Sequence, residues 1–472
     1  MCELSSLVRG LQAKSGKCSL LSFFLFFAFS VGVSFCSPTP TPTPTEELVY
    51  HTSRSRTRSN IYGGYGVHEA DDSSFSYAFN INHPTSSDVH YKAIKVSKQS
   101  VVTTPSPGSA AAGATKGLWK EDGEALKPCW DNPSPKDGNH SKGFILLTLA
   151  DGPEYHVSQI ANAIVVARYL GASLVLPHIG GTIPGETRYF GEIYDVKKFV
   201  KSLDGIIKIA KDQPVGVSIG NLTIVEVPTR VSEAYIAANI EPLFKMKGNL
   251  RLETKFPPLS LTNEKEFNYL DSLSCLAMFG TLELQPALKE VIDLMVERLR
   301  AWSRRSNGQF IGVDLRAEML GKEECQESGY SGTKWCYNAK AIGDFLRKIG
   351  FHRNTTIYLT QSKWHNMLDP LTNFYPETYT KDDVMPADKK AKFLDANSPE
   401  FTKIIDFYIC TLSDVFLPAV SGQFYTNVVG WRIASGNTQI LVPTKTTHSS
   451  SPGAYVSPYI SRKSHSAYSC FC

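Results

Sequence analysis

Apolar runs of strand length alternate with an amphipathic helix early in the ordered chain, and this alternation restricts the fold more than any other feature. Gly143–Leu149 is an apolar run, and the Asp151-Gly-Pro that follows it is a turn sequence. Helical spacing predicts a helix over Val157–Leu170, which Gly171 ends, and Ser173–Pro177 is the next apolar run. Strand, helix and strand at this spacing form a βαβ unit, so we predict a parallel sheet.

A second alternating set begins at Gln309, after a long amphipathic helix predicted over Pro286–Arg304. Its predicted elements are the strands Phe310–Val313, Thr356–Thr360 and Asp414–Pro418 and the helices Asn338–Ile349, Phe401–Tyr408 and Phe424–Ala434. Between the two sets, the alternation over Val215–Val227 predicts a hairpin. We therefore predict an α/β protein in which two Rossmann-like lobes face each other across a cleft.

The chain before residue 118 has the pattern of a membrane anchor and a spacer. Residues 19–36 are apolar and uncharged, and seventeen of them as a helix would span roughly 26 Å, near the lower limit for a bilayer core. Basic residues before this segment predict a cytosolic tail over 1–18. A cleaved signal peptide is the alternative. Residues 37–117 begin with a Pro-Thr repeat and predict a disordered stem. An N-terminal lobe over 118–305, a C-terminal lobe over 306–445 and a tail over 446–472 complete the predicted division.

Cysteines and glycosylation sequons fit a lumenal location. Eight of the ten cysteines lie from Cys36 onward, and Cys325 and Cys336 flank a Gly- and Ser-rich loop, which makes them disulfide candidates. No cysteine or histidine spacing resembles a zinc site. Three sequons would carry N-glycans in a lumenal protein, at Asn139, Asn221 and Asn354.

An arginine at a strand end and a Ser-Gly loop before a helix together suggest a diphosphate site. Arg316 follows the apolar run FIGVD, and its guanidinium could fork onto phosphate oxygens; a structural ion pair with the flanking acids is the alternative. Backbone N–H groups of Ser421, Gly422 and Gln423 could contact phosphate at a helix N-terminus, or these residues could form an ordinary cap. Two further donor contacts are Asp406, which could instead pair locally, and Arg432, which could instead stabilise the helix end.

Acidic side chains and a histidine near these elements are the candidates for acid–base chemistry. Asp314 or Glu318 could deprotonate an acceptor hydroxyl if burial tuned its pKa, or either could orient Arg316. His156 is the third catalytic candidate; a surface histidine is the alternative. It lies in the first βα loop, where Asp151 and Gln159 are expected to contact the acceptor.

Two absences from the sequence restrict the chemistry further. No Asp-x-Asp triplet occurs, and such carboxylates hold a divalent ion on the diphosphate in metal-dependent transferases, so we predict transfer without a metal cofactor. The net charge is only +4 over 472 residues, and no basic stripe interleaves with aromatic residues. These features exclude a nucleic-acid partner from the prediction.

These motifs, in this order, resemble those of the plant O-fucosyltransferase-like family. The resemblance covers roughly Gly143 to Pro443, and its elements are Val313–Leu320, Ile357–Gln361, Asp406–Cys410, Ser413–Phe416, Ser421–Phe424 and Arg432. Within the family the text is most similar to the mannan-synthesis-related group, through GPEYHVSQI from Gly152, VDLRAEMLGK from Val313 and SGQFYTNVVGWRIASG from Ser421. The resemblance implies a GT-B fold, a Golgi type II membrane protein and a GDP-type nucleotide sugar as donor.

Two departures from the family pattern accompany this resemblance. Asp314 stands where the wider family usually has a histidine, and the first loop reads DGPEYHVSQ instead of Gly-Gly-x-Asn-Gln. A fucose donor is therefore not carried over to this chain.

The leading hypothesis is a Golgi glycosyltransferase-like protein of mannan or glucomannan synthesis, acting on a polysaccharide or glycoprotein acceptor. Two alternatives stay open. The first is a non-catalytic partner that organises a mannan synthase, and the second is a protein O-fucosyltransferase. Replacement of Arg316 by alanine separates the first alternative from the enzyme, because only the enzyme needs that side chain.

Overall fold

A computed structural model describes residues 117–119, 126–130, 141–150, 152–181, 185–212, 222–256, 269–320, 325, 329–331, 334–395, 399–443 and 449–471. The anchor predicted over 19–36 and nearly all of the stem predicted over 37–117 lie outside these ranges. Within the ranges, no helix has both the length and the apolar character needed to cross a membrane.

The first lobe is built on a mainly parallel sheet with β1 at its centre. Its strands are β1 Phe144–Leu149, β2 Ser173–Val175, β3 His178–Gly180, β4 Thr187–Tyr189, β5 Ile209–Ala210, β6 Thr223–Val227 and β7 Asn249–Thr254. On one side β1 pairs with β7, and on the other with β2 at its start and β3 at its end, all in parallel. Among the described strands of this sheet, only β3 and β4 pair in antiparallel orientation. The predicted βαβ unit is present.

Helices cover the face of this sheet that carries Ile145, Leu147 and Leu149, which are all buried. The helices of this lobe are α1 Pro153–Leu170, α2 Val196–Ser202, α3 Glu233–Tyr235, a π-helical segment Ile236–Ile240, α4 Glu241–Lys247, α5 Tyr269–Gly280 and α6 Pro286–Trp302. Helix α1 lies between β1 and α5 and is buried along most of its length. It begins four residues before the predicted start, because Pro153 suits the first helical position, and it ends at Gly171 in the left-handed conformation.

The hairpin predicted over Val215–Val227 lies only partly within the described residues, which contain its second half. β6 is a single strand that pairs in parallel with β7, from Thr223 opposite Leu250 to Val227 opposite Thr254. Residues 213–221 lie outside the described ranges. Alternation of side chains indicates a half-buried strand but does not reveal which strand is its partner.

The second lobe contains a four-stranded parallel sheet in the order β12-β11-β8-β13. Its strands, together with a two-stranded antiparallel ribbon formed by β9 and β10, are β8 Phe310–Asp314, β9 Gly329–Ser331, β10 Lys334–Cys336, β11 Thr356–Leu359, β12 Thr378–Tyr379 and β13 Val415–Pro418. Its helices are α7 Ala317–Leu320, α8 Ala339–Ile349, α9 Asp369–Phe374, α10 Lys381–Val384, α11 Ala387–Phe393, α12 Pro399–Leu412 and α13 Gln423–Ala434, and α14 Pro458–Ser461 follows. Two parallel sheets covered by helices confirm the predicted α/β class.

The two lobes share their cores. Phe401, Ile404 and Ile409 of α12 belong to the same buried cluster as the side chains of the first lobe. Leu118, predicted to begin the first lobe, packs instead into the core of the second, where its carbonyl accepts a hydrogen bond from Gln439 at 3.0 Å.

The segment 449–471 is part of the packed structure. Cys470 forms a disulfide with Cys275 of α5, 195 residues earlier in the chain. Tyr455, Ala467 and Phe471 are buried. The predicted tail over 446–472 is therefore, in its described part, a strap that joins both lobes.

Candidate functional site

The carboxyl ends of β8 and β13 bring Arg316 and the Ser421 loop to the same sheet edge. The register places Asp314 beside Pro418, and the Ala419 N–H donates to the Asp314 carbonyl at 3.1 Å. Chain segments that leave neighbouring parallel strands at one edge form the crevice where α/β proteins hold ligands. The sequence-based pairing of Arg316 with the Ser421 loop is thus consistent with the geometry.

The start of α13 faces this edge with its backbone rather than with the Ser421 hydroxyl. The Ser421 Oγ accepts the Trp335 N–H at 3.1 Å, and the Ser421 N–H donates to the Trp335 carbonyl at 3.1 Å. Ser421 therefore fixes the loop to β10. Helix α13 begins at Gln423 after Gly422, so the N–H groups of its first turn have no carbonyl partner within the helix. Such a terminus attracts an anion.

Asp314 and Arg316 form a loose pair at the bottom of the crevice. Asp314 is 1% exposed, and its Oδ1 accepts the Thr360 hydroxyl at 2.9 Å. The Arg316 Nε lies 3.7 Å from that oxygen, beyond hydrogen-bond distance. Both the Asp314 Oδ2 and the Arg316 Nε are buried without a hydrogen-bond partner among the described residues. Burial raises the pKa of Asp314, and the neighbouring Arg316 opposes this rise.

Glu318, the other acid beside Arg316, faces solvent. Its side chain is 66% exposed, and its Oε1 lies 3.9 Å from the Arg316 Nε. Burial is the condition for a catalytic role of this residue, and the exposed side chain does not meet that condition. Glu318 thus borders the crevice as an exposed charge.

Glu154, which the sequence reasoning missed, is an acid of the first lobe whose charge interacts with that of Arg316. It lies in the first turn of α1, and its Oε2 is buried without a hydrogen-bond partner in the part of the chain described. Burial raises the pKa of Glu154, while Arg316 is near enough to lower it in part. The Glu154 carboxylate folds back over Gly152. A side chain at position 152 would clash with it, because its Cβ would lie 2.7 Å from the Glu154 Oε2. An acid directly after Pro153 at a helix start was the signal available in the sequence.

His156 and Gln159 do not point into the crevice. His156 is 1% exposed; its Nε2 donates to the Ala150 carbonyl at 2.7 Å and its Nδ1 accepts the Tyr194 hydroxyl at 2.7 Å. Burial lowers the pKa of His156 to about 4, so the ring is neutral at pH 7. Gln159 accepts the Ala150 N–H at 2.9 Å. Both side chains hold the end of β1 in place, which corrects the assigned catalytic and acceptor-contact roles.

Asp406 is committed to a buried network beneath Arg316. Its Oδ1 accepts the Tyr358 hydroxyl at 2.8 Å, and its Oδ2 accepts from the Lys381 Nζ at 2.5 Å. Lys381 is itself 1% exposed and also donates to the Thr360 carbonyl. The structure therefore favours the local ion pair over a contact with the donor's ribose or base.

Arg432, assigned to the donor phosphate from sequence, lies inside the second lobe. It is fully buried, and its terminal nitrogens donate to backbone carbonyls of Cys410, Thr411, Ser413, Asp414 and Gln439. These carbonyls belong to the end of α12, the two residues between α12 and β13, and the segment after α13. Arg432 thus connects three segments and does not reach the crevice.

Comparison with known proteins identifies the family. The family model described as GDP-fucose protein O-fucosyltransferase matches residues 155–434, more than half of the chain. The chain belongs to this family. Among curated relatives, Protein MANNAN SYNTHESIS-RELATED 2 of Arabidopsis thaliana is 50% identical over 77% of this chain and 86% of its own length. Protein MANNAN SYNTHESIS-RELATED of Trigonella foenum-graecum is 46% identical over 75% of this chain and 86% of its own. Both likenesses cover most of the relative, so they extend well beyond single motifs.

Two solved structures of fucosyltransferases are also similar. POFUT1 in complex with GDP is 13% identical, with a TM-score of 0.41 over 64% of this chain and 98% of that chain. The fucosyltransferase NodZ from Bradyrhizobium is 13% identical, with a TM-score of 0.37 over 66% of this chain and 98% of that chain. At these TM-scores neither likeness adds to the fold described above.

The other residues singled out from the sequence are not part of the site described above. Asp151, Asn139 and Asn221 lie outside the described residues. Asn354 is half-buried in the turn between α8 and β11. The disulfide predicted between Cys325 and Cys336 is present and fastens β10 beside the Ser421 loop.

In this O-fucosyltransferase-family chain, the described part of the crevice combines the Arg316 cation, an open helix start, the buried Asp314 carboxyl group and the partly buried Glu154 carboxyl group. An arginine and backbone N–H groups can hold a diphosphate and stabilise it as it leaves. A buried carboxyl with a raised pKa can accept a proton near neutral pH. Within the described ranges, no group of three or more His, Cys, Asp and Glu side chains is placed to hold a metal ion. Metal-independent transfer itself stays a prediction.

Proposed function

We propose that this protein is a Golgi glycosyltransferase of mannan or glucomannan synthesis that uses a GDP-type nucleotide sugar without a metal ion. Membership of a glycosyltransferase family and relatives named for mannan synthesis support the class of reaction and the process. The observation that carries the proposal is the position of Arg316, which lies at the carboxyl edge of a parallel sheet, with Glu154 of the first lobe near enough for the two charges to interact.

In the proposed reaction, Arg316 and the N–H groups at the start of α13 bind the diphosphate of the donor. An acceptor hydroxyl attacks the anomeric carbon, a new glycosidic bond forms, and the bond from that carbon to the diphosphate oxygen breaks. The negative charge that develops on the diphosphate is stabilised by the Arg316 guanidinium. The hydroxyl proton passes to Glu154 or to Asp314, whose carboxyl groups each have a buried oxygen and a raised pKa.

Nucleotide binding by the full-length protein tests this proposal. We expect calorimetry to detect selective binding of GDP over UDP, and Arg316→Ala to weaken GDP binding by about 10- to 100-fold, because a charge-assisted contact is lost. The matched control is Glu318→Gln, which changes an exposed neighbour of Arg316 and should leave GDP affinity nearly unchanged. A folded protein that binds no nucleotide would instead support a non-catalytic partner of a mannan synthase.

The donor sugar and the acceptor are tested in the same preparation. GDP-mannose, GDP-glucose and GDP-fucose are titrated after GDP, and transfer is then measured with manno-oligosaccharide acceptors. Transfer of fucose to a folded protein domain, without transfer to oligosaccharides, would replace the proposal by a protein O-fucosyltransferase.

Metal independence has its own test. We expect activity to persist in excess EDTA. In the proposed reaction, Arg316 and a helix N-terminus, rather than a metal ion, stabilise the negative charge on the leaving diphosphate. Loss of activity in EDTA that Mn²⁺ restores would contradict this part of the proposal.

The proposed location is supported by the sequence pattern alone. We propose that residues 19–36 anchor the protein in the Golgi membrane with the lobes in the lumen and with glycans on the sequons. Glycosidase treatment of protein from its native membrane checks this orientation, since a cytosolic protein would show no mobility shift.

A further inference from the structure

The loop after β11 carries an exposed tryptophan whose ring is held in one place. Trp364 is 40% exposed. Its Nε1 donates to the Asp369 Oδ1 at 2.8 Å, and Asp369 is the first residue of α9. A hydrogen-bonded indole that keeps part of its surface in water is pre-organised, so a ligand that stacks on it meets little ordering cost.

This loop lies at the same sheet edge as Arg316. Gln361, just after β11, accepts the Ala317 N–H at 2.8 Å, and Ala317 follows Arg316 directly. Further along, the 3₁₀ turn Asn366–Leu368 contacts α7. Trp364 stands between these two attachment points and therefore borders the candidate site.

The surroundings of Trp364 combine an apolar surface with polar groups. Met367 is also 40% exposed, and Lys363, His365 and Asn366 are exposed next to them. Another tryptophan, Trp302, has the same 40% exposure, but its ring packs against Tyr379 with centroids 4.5 Å apart. Among the described residues, Trp364 makes no ring contact of this kind, so its exposed surface lacks the packing that accounts for Trp302.

We propose that Trp364 and Met367 form a stacking platform for a pyranose ring of the polysaccharide acceptor, an inference that rests on the proposed function. One face of a hexopyranose carries C–H groups that pack on an indole, while the hydroxyls around the ring edge can bond to Lys363 and Asn366. The platform is open to solvent. A polymer chain can lie across such a surface, whereas a nucleotide base is more often held in a concave pocket.

The test is oligosaccharide binding by the full-length protein. Mannohexaose, cellohexaose and xylohexaose are titrated by calorimetry, in parallel with GDP. We expect mannohexaose to bind, Trp364→Ala to weaken that binding by about tenfold or more, and Trp364→Phe to weaken it less. Asp369→Ala should also weaken it, because the indole loses its hydrogen-bonded anchor.

Trp302→Ala is the matched control. Trp302 has the same exposed fraction as Trp364 but lies at the end of α6, so its replacement should leave hexaose binding unchanged. GDP affinity should be the same in Trp364→Ala and in the wild type. Thermal unfolding establishes that each variant folds, and Trp364→Phe keeps the test valid if Trp364→Ala does not.

The outcomes separate this inference from the proposed function. Hexaose binding that depends on Trp364 in a protein without GDP binding would uphold the platform and overturn the donor proposal. GDP binding lost with Trp364, while hexaose binding persists, would assign the ring to the nucleotide base and overturn the platform. Equal hexaose binding by Trp364→Ala and wild type, or no binding of any hexaose by the wild type, would also overturn it.

Discussion

At the scale of single residues, the crevice contains carboxyl oxygens that are buried without hydrogen-bond partners among the described residues. Glu154 and Asp314 each have a buried oxygen without a hydrogen-bond partner in the described structure, and burial raises the pKa of both. Ionising such groups in the folded protein costs free energy. Buried polar atoms without partners are common where a side chain binds a ligand rather than stabilising the fold.

Glu154→Gln should therefore stabilise the protein at pH 7 and impair transfer. The folded-state pKa of Glu154 lies above its ordinary value of 4.5, so its stabilising contribution is complete below that value and is lost as pH rises through the folded pKa. Glutamine resembles the protonated form. We expect a higher melting temperature than wild type at pH 7, and a difference that shrinks when both are measured near pH 4.

The activity of the same variant checks the catalytic role. If Glu154 accepts the acceptor proton, turnover should fall by roughly 10²- to 10⁴-fold while GDP affinity is kept. Glu318→Gln, which alters an exposed acid, serves as control. A Glu154→Gln protein with normal turnover would transfer the role of base to Asp314.

At the scale of elements, Arg432 donates hydrogen bonds to several buried backbone carbonyls. The end of α12, the two residues between α12 and β13, and the segment after α13 each present carbonyls toward one guanidinium. Buried carbonyls need donors, and here one side chain supplies several. The elements around the crevice are thus held from behind by a residue that never meets a ligand.

Arg432→Met should destabilise the protein by roughly 3 kcal/mol or more, because several buried carbonyls lose their donor. Denaturant unfolding gives the measurement, and Arg305→Met, at an exposed arginine, should change stability by less than roughly 0.5 kcal/mol. Arg432→Lys should retain more stability, and in its folded fraction GDP affinity should equal that of wild type. A selective loss of GDP affinity would restore the donor role predicted from sequence.

The sequence was sufficient for elements with strong local patterns. The helix predicted over Phe424–Ala434 is α13 at Gln423–Ala434, and the strand at Phe310 ends at the predicted edge with Arg316. It was insufficient for side-chain direction. In the sequence Arg432 is a cation in the last turn of a helix, but in the structure it is buried and donates hydrogen bonds to backbone carbonyls. His156 lies in the first turns of α1, but its ring hydrogen-bonds to Tyr194. Those partners are distant in sequence, so only tertiary packing determines them.

At the scale of the whole molecule, the two disulfides whose cysteines both lie in the described ranges constrain very different lengths of chain. Cys325 and Cys336 are 11 residues apart, whereas Cys275 and Cys470 are 195 apart and join α5 of the first lobe to the strap that follows the second. In the chain-entropy model, a cross-link restricts the unfolded chain more when the loop it closes is longer. The long cross-link therefore restricts the unfolded chain more than the short one does.

Replacing Cys275 and Cys470 together by serine should cost roughly 5 kcal/mol, against roughly 3 kcal/mol for Cys325 and Cys336. Denaturant unfolding of the two double variants compares them directly. The short disulfide lies beside the Ser421 loop, so its loss should weaken GDP binding more than the loss of the long one. The reverse order of stabilities would show that native packing, and not loop closure, sets these contributions.

The 195-residue separation also imposes an order on biosynthesis. Cys275 leaves the ribosome long before Cys470 exists, and Cys325 and Cys336 are made in between. During that interval its thiol can pair with either of them. Any such premature disulfide has to be exchanged once Cys470 has been added, so the yield of correctly bonded protein in the proposed lumenal location should depend on a disulfide isomerase.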